Sequence, residues 1–474
     1  YPFARRPHSG VGCALYNGPE IRTASGFRLV FCRSCGRAVP VQIGICVRVV
    51  RPETLPASRR RAIRRTPASR VSGVNPERCG KSGMPGSWIV RNILLILSGR
   101  FSSGRTPVRP EASGRTGPEG GRPENPGGMI KNRDTMRKIR FGVVGTNFVT
   151  DWVIAGARQD PRFELAAVCS RTRERAAEFA VRHGIARTFV SLEEMAASDA
   201  IDAVYIATPN CMHAAQAVCC MERGKHVLCE KPMASNAREV RAMIEASRRN
   251  GVALMEAVKT TLTPNFMALR EALPKAGTLR RYFSAFCQYS SRYDKFKEGI
   301  VLNAFRPELS NGAMMDIGIY TIYPMVVLFG RPRRISASGI LLSSGVDAQG
   351  TVDFDYGEMN ATVLYSKIAN SSLPTEIQGE AGNLTLDRIN RIGRVVWQPR
   401  PAAASGLERP AEPQDLSRPT ERDEYYYEVA EFLDLVEQGR RESSVNSHEN
   451  SLATIGIIDE VRRQLGVVYP ADLI

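Results

Sequence analysis

The chain has 474 residues and a formal net charge of +17, a length that implies two or three domains rather than one. Residues 1–135 carry 24 Lys+Arg against 7 Asp+Glu, and the remainder carries 41 of each, so the whole positive excess lies in the first segment. On charge grounds residues 136–474 are therefore excluded as a polyanion binder.

Residues 1–135 also differ in texture. They hold 18 Gly and 14 Pro, and all but two of their basic residues are Arg. No stretch keeps a period of 2 or 3.6, and the apolar run from Trp88 to Leu97 is too short to cross a bilayer. Three readings compete: a disordered low-complexity segment, a basic arm for nucleic acid, and translated GC-rich upstream DNA, with Met136 or Met129 as the initiator. Composition favours the last. Cys32-x-x-Cys35 has no second matching pair to complete a zinc site. The six cysteines of the body (169, 211, 219, 220, 229, 287) lie in apolar runs and read as small core residues of a reducing compartment.

From Met136 strands alternate with helices. Strand patterns cover 138–145, Phe163–Cys169, Ala203–Ala207 and His226–Cys229, with helices to Arg158, over Arg173–His183 and through Ala214–Met221. Asn236 with Glu239 three residues on starts a further helix. This grammar predicts a doubly wound parallel sheet over 136–258. After that come a strand (Arg280–Tyr289), an apolar helix (Asp316–Phe329), and short strands at 335–342, 351–355, 361–366, 374–379 and 383–387. They predict an antiparallel sheet, followed by a Pro/Ala-rich loop (399–420) and two helices (424–438, 447–465). The fold class expected is α/β: a Rossmann domain at 136–258, then an α+β domain with an open, mainly antiparallel sheet at 259–474.

Four motifs carry chemistry. Gly142-Val-Val-Gly145-Thr146-Asn147-Phe148 joins the first strand to the first helix, where a dinucleotide pyrophosphate meets backbone N–H groups. Two glycines of the G-x-G-x-x-G frame are replaced, by Asn147 and Thr150, and Asn147 is expected to make the turn through its tolerance of positive φ. The second strand ends in Ser170-Arg171, where an Asp or Glu would read a ribose hydroxyl; a hydroxyl and a guanidinium suit a 2′-phosphate. Thr208-Pro209-Asn210 with His213, and Glu230-Lys231-Pro232, fall at carboxyl ends of strands, the ligand side of open α/β sheets. Asp316 and Tyr320 stand at i and i+4 on one helix face. Each has a plain alternative: an ordinary strand-to-helix turn for the glycine loop, a solvated helix start for Ser170-Arg171, a surface ion pair for Lys231, a packed core tyrosine, a packing or capping histidine.

Together these residues resemble the Gfo/Idh/MocA family of NAD(P)-dependent oxidoreductases, closest to the branch with dimeric dihydrodiol dehydrogenases and NADP-dependent xylose dehydrogenases. The resemblance covers essentially all of 136–474. It implies cofactor contacts from Gly145, Thr146, Asn147, Phe148, Ser170, Arg171, Thr208, Pro209, Asn210, His213, Glu230 and Lys231. The catalytic residues implied are Tyr320 as general acid/base, Lys231 as its partner, and Asp316 to orient Lys231 or a substrate hydroxyl. An adjacent ammonium is expected to lower the phenol's pKa. The cofactor expected is NADP, with NAD as the alternative, and no metal. The substrate expected is a sugar, polyol or related diol, with Tyr289, Arg292 and Tyr293 as pocket candidates. The other reading is a cofactor-binding regulator without turnover. The expected setting is cytoplasmic, as a homodimer or homotetramer through the C-terminal sheet, without nucleic acid or membrane.

Overall fold

The computed structural model describes the backbone of residues 29–31 and 38–40, and residues 137–401 and 411–474 in full. The chain divides into two units, Tyr1–Glu124 and Asn125–Ile474. In the first, Leu29–Phe31 pairs antiparallel with Ala38–Pro40; Cys32, Cys35 and the three readings of residues 1–135 otherwise lie outside the described residues. Elements of the second unit are numbered from Ile139.

The Rossmann half runs β1 (Ile139–Val144), α1 (Phe148–Ala157), β2 (Phe163–Cys169), α2 (Arg173–His183), β3 (Arg187–Phe189), α3 (Leu192–Ala197), β4 (Ala203–Ile206), α4 (Asn210–Met221), β5 (His226–Glu230), α5 (Ala237–Asn250) and β6 (Leu254–Ala257). All its strand pairs are parallel, in the order β3-β2-β1-β4-β5-β6. The order reverses between β1 and β4, which opens a crevice at their carboxyl ends. Local chemistry sets the helix ends. Side chains of Thr172, Ser191 and Asn236 cap α2, α3 and α5, and Gly184 and Gly251 close α2 and α5 in the left-handed region.

The second half comprises α6 (Pro264–Ala272), β7 (Leu279–Cys287), α7 (Ser291–Lys297), a π-helical turn (Met314–Gly318), α8 (Ile319–Phe329), β8 (Arg334–Leu341), β9 (Asp347–Asp355), β10 (Asn360–Ser366), β11 (Thr375–Gly379), β12 (Gly382–Leu386), β13 (Val395–Pro399), β14 (Gln414–Asp415), α9 (Tyr426–Glu437) and α10 (His448–Leu465). Its eight strands lie in the order β8-β9-β10-β7-β11-β12-β13-β14. The sheet is mixed rather than antiparallel throughout, because β7 and β10 pair in parallel while the other neighbours are antiparallel. The stretch Pro307–Phe329 is long and apolar enough to cross a membrane, yet 72% of its apolar 18-residue window is buried. Its inner residues, from Met314 to Val326, join the main core.

Two cores hold the unit together. One joins the α4–α5 side of the Rossmann sheet to the second sheet, α8 and α10 through residues such as Val240, Met243, Tyr282, Ile322 and Ile458. The other lies on the opposite Rossmann face, where Val429, Phe432, Leu433 and Leu435 of α9 pack with Phe141, Val153 and Ile154. Residues after 258 thus pack on both sides of the parallel sheet, and α9, distant in sequence, covers the face opposite the main core. Gly156 of α1 shows how closely it docks, since a Cβ there would stand 2.8 Å from the Tyr425 side chain and the Tyr426 nitrogen.

Candidate active site

The loop after β1 is built by substitutes for glycine. Gly145 has φ +103°, and a Cβ would lie 2.4 Å from the Ala207 carbonyl oxygen, so only glycine fits. Its neighbour departs from expectation: Asn147 is extended (φ −94°), not in the left-handed region. It works through its side chain. Oδ1 accepts from the N–H groups of Val149 (2.8 Å) and Thr150 (3.3 Å), and Nδ2 donates to the Ala207 carbonyl (2.7 Å). Thr150, where a third glycine would stand, is fully buried, and its hydroxyl donates to the Gly145 carbonyl at 3.0 Å. The turn is closed by hydrogen bonds where glycines would have closed it by close approach. Phe148 sits half-exposed on the first turn of α1, edge-to-face with Trp152 at 4.9 Å.

At the end of β2 the Ser170 N–H is tied to Phe189 O (3.1 Å), and the Arg171 side chain is exposed with no ion-pair partner among the described residues. At the end of β4, the Thr208 hydroxyl bonds Gln216 (2.7 Å). Both His213 nitrogens face main-chain carbonyls, of Pro232 (3.0 Å) and Thr208 (2.8 Å), and burial lowers its pKa. The ring clasps the Thr208-Pro209 and Lys231-Pro232 strand ends together rather than offering a free acid or base. Asn210 reaches across to the second half, donating to the Ser310 carbonyl (2.8 Å) and Asn311 (3.1 Å).

Lys231 follows β5 and points at the π turn. Its Nζ donates to the Asp316 carbonyl oxygen (2.7 Å), lies 3.4 Å from Asp316 Oδ1, and stands 4.6 Å from the centre of the Tyr320 ring. The structure thus gathers all three residues read as catalytic. The π turn, capped by Asp347 accepting from the Met314 N–H (2.7 Å), is an irregularity of the kind found at functional sites. Burial works against charge on Asp316, but Lys367 and Lys231 hold its carboxyl well below the ordinary range. The expected effect on Tyr320 is reversed. Burial, then Glu230, Asp316 and Glu428, push its phenol well above its ordinary value, because the ammonium lies over the ring face rather than at the hydroxyl.

Glu230, read from the sequence as a cofactor contact, accepts from the Tyr205 hydroxyl at 2.6 Å. Three further residues of this neighbourhood are not singled out by the sequence. Glu428 of α9 is 1% exposed, with neither carboxylate oxygen hydrogen-bonded among the described residues. Its position in line with Phe432 and Leu435 puts a charge on an apolar helix face, a legible signal. Glu256 anchors the turn after Lys231 by accepting from the Met233 N–H at 2.9 Å. Lys367 pairs with Asp316. Among the pocket candidates, Arg292 adds to the positive surroundings of Asp316, while Tyr289 is engaged with Asp294 (2.7 Å) and stacks edge-on with Tyr293. Among the described residues no cluster of His, Cys, Asp or Glu could hold a metal ion.

A dinucleotide crevice with a Lys–Asp–Tyr group at its mouth defines a nicotinamide-dependent dehydrogenase, and similarity to known proteins agrees. Residues 139–258 match the oxidoreductase family model with an NAD-binding Rossmann fold, and 274–385 match the GFO/IDH/MocA C-terminal domain. The chain belongs to the Gfo/Idh/MocA oxidoreductases, an NAD(P)-dependent dehydrogenase acting on CH–OH groups. It is 50% identical over 334 residues to the scyllo-inositol 2-dehydrogenase (NADP(+)) IolU of Bacillus subtilis, covering 70% of this chain and 99% of that protein. It is 32% identical over 345 residues to the trans-1,2-dihydrobenzene-1,2-diol dehydrogenase of Danio rerio, with the same coverage. The fold is shared with aldose-aldose oxidoreductase from Caulobacter crescentus (20% identity, TM-score 0.59, 69% of this chain and 97% of that one). It is shared also with the 3-ketoreductase KijD10 of Actinomadura kijaniata (22% identity, TM-score 0.58, 69% and 98%).

Proposed function

We propose that this protein interconverts a secondary alcohol and a ketone on a cyclic polyol or related diol, using NADP(H). The observation that carries the reading is the convergence of Lys231, Asp316 and Tyr320 beside the Gly145 loop. The fit of the loop to a pyrophosphate rests on its place between β1 and the N-terminus of α1, with Gly145 packed so closely on the end of β4 that a Cβ would meet the Ala207 carbonyl oxygen. Thr146, Asn147 and Phe148 would lie along the phosphates, with Thr208, Pro209, Asn210, His213 and Glu230 shaping the opposite wall. Ser170 and Arg171 would meet the 2′-phosphate. NADP supplies the hydride acceptor or donor.

The protein's own residues handle the proton. Held as a phenol by burial, Tyr320 donates its proton to the carbonyl oxygen in the reductive direction and is left as a phenolate that solvent reprotonates; in the oxidative direction the phenol first gives its proton to solvent, and the phenolate then takes the hydroxyl proton. Lys231 polarises the same oxygen. Asp316 orients Lys231 and accepts from a neighbouring hydroxyl. A regulator without turnover has no support here: Lys231 and Tyr320 are intact and converge, and the relatives above carry the names of enzymes. We place the protein in the cytoplasm as a homo-oligomer through the eight-stranded sheet, which size-exclusion chromatography with light scattering tests. The function itself is tested by following NADPH formation with scyllo-inositol and NADP⁺. Turnover lost in Tyr320→Phe with NADPH binding retained supports the reading; no turnover with scyllo-inositol or other vicinal diols overturns it.

A further inference from the structure

Lys367 is the first residue after β10, and its backbone is clamped from both sides. Its N–H donates to the Ala348 carbonyl, and its own carbonyl accepts from the Ser290 N–H, each at 2.8 Å. The residue is only 4% exposed. Its ammonium meets Asp316 Oδ2 and lies 5.8 Å from the Phe305 ring centre. A buried ammonium is costly unless paired, and the hydrogen-bonding partner this structure gives it is Asp316.

The geometry of that carboxylate shows what the pair does. Asp316 is engaged closely by Lys367 through Oδ2, whereas Oδ1 is 3.4 Å from Lys231. The closer contact of Lys231 is with the main-chain oxygen of Asp316, at 2.7 Å. Two ammonium groups therefore share one acidic residue unequally. The buried one holds the carboxylate, and the one beside Tyr320 is left on a neutral carbonyl with donors to spare. The Asp316 side chain is 33% exposed, so an oxygen remains within reach of a ligand. Without Lys367, the carboxylate would face Lys231 and Arg292 alone and be drawn onto the Lys231 ammonium.

We propose that Lys367 is a positioning residue: it anchors Asp316 through Oδ2, keeps Lys231 free for the reacting oxygen, and leaves Oδ1 to accept from a hydroxyl on the adjacent carbon. The matching substrate class is a polyol with vicinal hydroxyl groups. The inference rests on the reading of Lys231, Asp316 and Tyr320 as the reaction centre.

The test is a double-mutant cycle on the full chain, with K367M, D316N and the pair D316N/K367M. One readout needs no substrate: competitive acetylation with acetic anhydride, quantified at Lys231 by mass spectrometry. In K367M the labelling of Lys231 should fall several-fold, because an ion-paired ammonium is a poorer nucleophile; in D316N/K367M it should return to the D316N level. The second readout is scyllo-inositol oxidation with NADP⁺. K367M should lower kcat/KM roughly ten- to hundredfold, as expected for losing one charge-assisted contact, with NADPH affinity unchanged. K367Q keeps a donor and loses the charge, so it should show the same changes in smaller measure; it carries the test if K367M fails to fold. Unchanged Lys231 labelling in K367M, or an equal loss of kcat/KM with and without Asp316, overturns the proposal. An unmutated protein that does not oxidise scyllo-inositol refutes the proposed substrate instead, and the labelling cycle still decides the role of Lys367.

Discussion

Replacing Glu256 by glutamine should stabilise the protein in alkaline solution and leave it nearly unchanged in acid. The carboxyl is 2% exposed, and burial lifts it from an ordinary 4.5 to about 7. Its hydrogen bond from the Met233 N–H offsets that cost only in part. A displacement of that size makes the ionised form roughly 3 kcal/mol less favourable in the fold than in the unfolded chain. The sign follows from proton counting. Between the two values the folded protein holds a proton that the unfolded chain releases, so stability is fully present below 4.5 and is lost as pH rises through about 7. Glutamine keeps a neutral oxygen acceptor for Met233, as the protonated carboxyl does, and removes the penalty of the buried charge. The net gain is about 3 kcal/mol near pH 9 and less than about 1 kcal/mol near pH 5. Paired thermal melts of the two proteins at those pH values measure it; a gain of a few degrees is expected in alkali. A glutamine variant that melts lower than its parent at the alkaline pH, or differs equally at both, refutes the reasoning.

Tyr320→Phe should lower kcat by roughly a hundredfold or more while NADPH titrations remain unchanged, since one hydroxyl and little volume are removed. Arg171→Ala should weaken NADPH binding roughly ten- to hundredfold with little effect on NADH, and Ser170→Asp should reverse the preference; equal affinities for both cofactors in the unmutated protein would contradict this. The effect should shrink with added salt, because Arg171 is exposed. Gly145→Ala should abolish cofactor binding or destabilise the Rossmann half, as its Cβ has a carbonyl oxygen at 2.4 Å; a variant that binds NADPH normally would show that the turn can move.

The Rossmann half was readable because its signals are local. Asn236 with Glu239, the apolar face of α5 and the Gly251 stop lie within one short stretch of chain, and the structure reproduces them. The short strands β3 and β6 escaped, since so few residues establish no period. Asn147 shows a right position with the wrong reason: side-chain capping, not positive φ, closes the turn. The π turn around Asp316 leaves no mark in a sequence that reads as ordinary apolar helix. Lys367 was invisible for another reason. Its partner lies 51 residues away, and a lysine after a strand is an ordinary surface residue until tertiary contacts bury it.

The return of α9 to the cofactor-binding sheet makes this protein poorly divisible. A fragment ending near residue 258 would carry every strand of the parallel sheet, yet leave Phe141, Val153 and Ile154 facing water where Val429, Phe432 and Leu433 belong. Chimaeras that exchange substrate-binding halves among relatives would need to transplant 259–424 as an insert and keep the recipient's 425–437 with its own Rossmann sheet, so that Gly156 still finds the Tyr425 it was shaped to meet. Recombination breakpoints in this architecture therefore come in pairs.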